Sequence, residues 1–104
     1  MWERVSAALA ISRERGWTWR GDPAGADPPV RLVGQRTTAR HHDVVLIELA
    51  EEPMTAVGAR FALHDWGHPG TAPVRGPLEG APDQVLLEVM DWPHDELDAA
   101  EDHQ

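Results

Sequence analysis

Val44-Val45-Leu46-Ile47-Glu48-Leu49-Ala50 is the stretch that decides the fold. Its β-branched, almost unbroken apolar run predicts a strand, central in a sheet. Downstream, Glu51-Glu52-Pro53 turns the chain. Val57, Ala59, Phe61 and Leu63 then alternate with Gly58, Arg60, Ala62 and His64, the two-residue period of a half-buried strand. Upstream, residues 30–36 read as another strand, with 37–43 as its frayed end or a hairpin connection.

Further out, residues 2–15 carry Trp2, Val5, Ala8, Leu9 and Ile11 at helical spacing, with Glu3, Arg4, Arg13, Glu14 and Arg15 opposite, which predicts an amphipathic helix. Gly16 follows as a left-handed cap. Trp17-Thr18-Trp19-Arg20 reads as a short strand and residues 21–29 as a Gly/Pro loop. Residues 67–83 hold four glycines and four prolines and read as a long loop. In residues 84–92, Val85, Leu87 and Val89 alternate with Leu86, Glu88 and Met90, which favours a strand over a short helix.

The assembled expectation is an α+β domain over residues 1–92, an N-terminal helix packed on an antiparallel sheet of four or five strands. The inward residues of 44–50 and 57–63 are expected to cover the helix. Residues 93–104 form an acidic C-terminal tail or weak helix.

Composition closes several functions. The chain of 104 residues has no Lys, Cys, Tyr or Asn and only two serines, Ser6 and Ser12. That removes P-loop and Schiff-base lysines, thiol nucleophiles and cysteine zinc sites. Without cysteine or an apolar secretory start, a cytoplasmic home is the default. No apolar stretch approaches the roughly 18 residues of a membrane span.

The charge is one-sided. Residues 1–78 hold nine arginines and nine carboxylates, whereas residues 79–104 add nine carboxylates and no arginine, supplying the whole net charge of −9. Acidity on this scale steers basic partners and disfavours direct contact with nucleic acid or anionic membranes.

Six histidines invite a metal reading, with His64 and His68 as the candidate pair beside Asp65-Trp66-Gly67. On a strand two such residues stand about 13 Å apart, too far for one ion, so no metal or cofactor is expected. The His-Asp dipeptides are not dyads, since neighbours on a strand point to opposite faces. Paired carboxylates such as Glu51 and Glu52 read as a solvated turn. No catalytic residue is expected.

The functional expectation is therefore a small acidic interaction domain binding a basic protein through its C-terminal edge. Its candidate contacts are Asp91, Asp95, Glu96 and Asp98, with Trp92 and Trp66 as apolar anchors. Inhibitors and immunity proteins that occupy a basic groove in place of phosphates use the same physics, by analogy of charge only. Two alternatives stand beside it. One is a small-ligand or metal-binding domain using residues 64–83; the other is a non-catalytic subunit of an oligomeric phage or secretion-type assembly, self-associating through exposed tryptophan.

Overall fold

In a computed structural model, which describes residues 2–94, the chain runs α1 (Trp2–Glu14), β1 (Thr18–Asp22), β2 (Arg31–Thr37) and β3 (His41–Glu48), then β4 (Thr55–Ala62), a 3-10 turn (Leu63–Asp65), β5 (Arg75–Gly80) and α2 (Pro82–Met90). The five strands form one antiparallel meander in sequence order. The domain is the expected α+β combination of an N-terminal helix and an antiparallel sheet, with a second helix added.

That second helix corrects the reading of residues 84–92 as a strand. Alternation explained Val85, Leu87 and Val89 but left Leu86 and Met90 apolar on the opposite face. A helix gathers Val85, Leu86, Val89 and Met90 on one buried side and leaves Leu87 outside. Pro82 occupies the first turn, where its missing N–H costs nothing, and Asp83 lies there too, favourably placed on the helix dipole. The fifth strand comes instead from the Gly/Pro-rich stretch read as loop. Arg75–Gly80 lies at the sheet edge, where Pro77 and its exposed neighbours are tolerated. Residues 41–43, read as fraying or connection, open β3, and Thr38 N–H closes the tight hairpin on the His41 carbonyl at 2.9 Å.

Both helices lie on one face of the sheet. On β3, His41, Asp43, Val45 and Ile47 point to that face, and on β4 Ala56, Gly58, Arg60 and Ala62 do. The core joins Val45, Ile47 and Ala56 to Val5, Ala8 and Leu9 of α1, to the buried side of α2, and to Trp17 and Trp92. α2 packs on β3, β4 and β5, and α1 packs chiefly on α2. The expected direct cover of α1 by β3 and β4 is thus corrected, because α2 occupies that ground. Trp2 is not part of the core or its edge: at 51% exposed it stands outside the buried stripe of Val5, Ala8, Leu9 and Ser12.

Close approach fixes two positions as glycine. A Cβ on Gly58 would stand 2.6 Å from Val89 Cγ2, so α2 can lie this near β4 only over a bare backbone. A Cβ on Gly34 would meet the Trp19 ring at 2.5 Å. Trp19 lies over that gap and donates its indole N–H to Ser12 Oγ at 2.8 Å, tying β1 to α1.

Candidate functional site

β3 carries a carboxylate near each end, and the strand's alternation sends them to opposite faces. Asp43 faces the helices. Its cross-strand neighbours are Arg36 on β2 and Arg60 on β4, so one rung of the sheet reads Arg–Asp–Arg. Arg60 Nε donates to Asp43 Oδ1 at 2.7 Å and Arg36 Nη2 donates to Oδ2 at 2.6 Å. Asp43 and Arg60 are fully buried and Arg36 is 4% exposed.

This rung holds down the chain after α2. Arg60 donates to the Pro93 carbonyl at 2.6 Å, and Arg36 Nη2 reaches the Val89 carbonyl at 3.4 Å. Trp92 lies under two guanidiniums, with Arg60 5.6 Å and Arg75 4.9 Å from its ring centre. At 5% exposed, Trp92 belongs to the core and offers no ring to a partner.

The opposite, uncovered face of the sheet carries Val33, Val44, Leu46, Val57, Ala59 and Phe61, all partly exposed. At one end of it Trp66, 41% exposed, stacks on His42 with ring centres 4.1 Å apart and leans on Phe61 at 5.1 Å. His42 is 6% exposed, and burial lowers its pKa against a smaller opposing pull from Asp43. Its Nε2–H donates to Gln35 Oε1 at 3.1 Å, while Nδ1 accepts the Thr37 hydroxyl at 2.9 Å. The neutral imidazole is thereby satisfied at both nitrogens.

At the other end of this face Glu48 takes Arg31 in a two-pronged pair, Nε to Oε1 at 2.8 Å and Nη2 to Oε2 at 3.3 Å. Arg31 also reaches Asp22 at 3.0 Å. Beside this pair a cleft of about 550 Å³ is walled by Glu48, Glu51, Thr55, Val57 and Glu79. A smaller one of about 190 Å³ lies between β5 and α2, walled by Leu78, Glu79, Gln84, Val85 and Glu88. The two meet at Glu79 and Gly80, and among the described residues neither wall contains a basic one. Gln84, Leu87, Glu88 and Asp91 then continue along the exposed side of α2, with Leu87 45% exposed.

Of the residues singled out by sequence, Asp91 lies on this acidic surface and Trp66 stands apart from it against His42. Asp95, Glu96 and Asp98 fall outside the described residues. His64 and His68 do not converge on an ion: His64 is 77% exposed at its side chain and meets Asp65 at 3.4 Å, and no group of three potential ligands forms among the described residues. No helix among the described residues is long and apolar enough to cross a membrane. Glu48, Glu51, Glu79 and Glu88 do not stand out as a group in the sequence, because the Gly/Pro-rich stretch around Glu79 reads as loop and not as the strand that brings it to the others. No family model, characterised protein or solved structure matches the chain.

Proposed function

We propose that this domain binds an arginine- or lysine-rich segment of another protein along the acidic corner formed by Glu48, Glu51, Glu79, Glu88 and Asp91. The observation that carries the reading is the pair of clefts meeting at Glu79 and Gly80, walled among the described residues by four carboxylates and no base. Only Glu48 is neutralised by an arginine among the described residues; Glu51 accepts just the Thr55 hydroxyl, at 3.1 Å. Leu87 supplies the apolar anchor that Trp92, being buried, does not. Such a corner suits inhibitor-type action, in which carboxylates take the place that phosphates hold in a basic groove.

A hexa-arginine peptide serves as probe. Its binding should weaken by about tenfold in a Glu51→Gln/Glu79→Gln/Glu88→Gln variant and fall steeply with salt. A control removing equal charge at exposed Glu3, Glu14 and Asp27 should lose much less. Equal losses in the two variants would show diffuse attraction by the net charge and sink the corner. An Asp95→Asn/Glu96→Gln/Asp98→Asn variant tests the C-terminal segment separately; it should retain most of the affinity if the folded corner is the recognition surface.

A further inference from the structure

The other end of β3 carries a cavity of opposite sign. About 370 Å³ in volume, it lies between the end of α1, the β2–β3 hairpin and the last described residue, and its wall includes Arg15, Arg36, Thr37, Thr38, Arg40 and His94. Among the described residues no carboxylate lines it. In a chain of net charge −9, such a wall is a local reversal of the overall field.

We propose that this cavity is a binding site for a small oxyanion, a phosphate- or carboxylate-bearing molecule. The burial of Arg36 supplies the first argument. Asp43 takes its Nε at 3.2 Å and its Nη2 at 2.6 Å, which leaves Nη1 as the cavity-side donor, 3.2 Å from His94 Nε2. A guanidinium cannot accept, so Nε2 of His94 accepts here and its proton sits on Nδ1. An oxyanion entering beside Nη1 offers this donor a charged acceptor in place of a neutral ring nitrogen, the stronger hydrogen bond of the two.

Arg15 gives the second argument. It projects from the end of α1 to the same wall and makes no ion pair among the described residues. The α1 terminus itself opposes an anion through its dipole. Two of its last carbonyls are already taken, Ser12 O by Trp17 N–H at 3.0 Å and Arg13 O by Gly16 N–H at 3.3 Å. Binding therefore depends on the side chains.

Distance removes a second objection, repulsion by the acidic corner. β3 separates the two ends by about 23 Å at 3.3 Å per residue, well beyond a screening length of about 8 Å at physiological salt. The cavity volume suits a phosphate with a small organic group.

The test is a titration of the full chain with inorganic phosphate, followed by the ring resonances of His94 and the side-chain resonance of Arg15. A saturable response with a Kd of about 1–10 mM is expected. Arg15→Gln/Arg40→Gln should weaken it by about tenfold, and Arg4→Gln, a remote exposed arginine, should not. The chain's own carboxylates are a second source of the same chemistry, and an Asp95→Asn/Glu96→Gln/Asp98→Asn variant separates the two. Unchanged affinity there assigns the site to an external anion. Tighter phosphate binding shows that those side chains compete for the same arginines. No saturable response at His94 in either protein, or undiminished affinity in Arg15→Gln/Arg40→Gln, overturns the proposal.

Discussion

On the β2–β3 ladder Arg36 stands opposite Asp43 and, five residues further along β3, Arg31 stands opposite Glu48. Both are two-pronged arginine–carboxylate pairs of similar length, and they differ in face. An odd separation on a strand reverses direction, so Asp43 enters the helix-covered side and Glu48 the uncovered one. Burial then divides their roles. The Asp43 carboxylate is shut off from water and taken up by the two arginines, and the rung joins three strands and the segment after α2. The Glu48 rung, with Arg31 38% and Glu48 25% exposed at the side chain, borders a cleft where more acid is left to solvent. One composition of charge thus gives a structural lock at one end of a strand and an open acidic surface at the other.

Removing the buried carboxylate breaks this contrast most severely. Asp43→Asn keeps the shape but leaves two guanidiniums in the core without their shared counter-ion. Loss of one member of a buried network costs about 3–5 kcal/mol, read from urea denaturation midpoints. Glu48→Gln removes a carboxylate paired just as well geometrically but wetted by solvent, and should cost less than about 1 kcal/mol. Similar losses in the two variants would erase the distinction between the faces. Smaller still, Glu51→Gln/Glu79→Gln/Glu88→Gln should alter stability by no more than about 0.5 kcal/mol while it weakens binding of the basic probe.

Much of this contrast was written in the order of residues. Strand parity alone puts Asp43 with Val45 and Ile47 on an apolar side of β3. On β4 it misleads: Arg60 shares its face with Gly58 and Ala62, and this face, not the more apolar one of Val57, Ala59 and Phe61, turns to the helices. Reading Asp43 as a neighbour of histidines, instead of as a position on a face, hid the β3 signal. Residues 44–50 announced a central strand because their apolar run outlasts any alternation. Residues 84–92 misled because in so short an element periods of 2 and 3.6 both accommodate three alternating apolar residues; the whole apolar set, Val85, Leu86, Val89 and Met90, separates them. The acidic corner was legible only in part. Its charge could be counted, but the meeting of Glu48, Glu51 and Glu79 needs the register of three strands, one of them built from glycine and proline.

The uncovered face offers a last, finer test through His42. In the folded protein burial under Trp66 lowers its pKa below the ordinary value of about 6.5. The unfolded chain therefore binds a proton more readily than the folded one between those two values, and stability rises with pH across that window. The contribution is complete above the ordinary histidine value and is lost as pH falls from there towards the folded pKa. His42→Gln keeps a polar side chain over Phe61 but has nothing to titrate. Urea midpoints of both proteins at pH 8 and pH 5 should show the larger fall in the wild type, since the remaining titrating groups are common to both. The same fall in both would mean that His42 takes up its proton as easily folded as unfolded. The stacked neutral ring between Thr37, Gln35 and Trp66 would then be the wrong description of that end of the sheet.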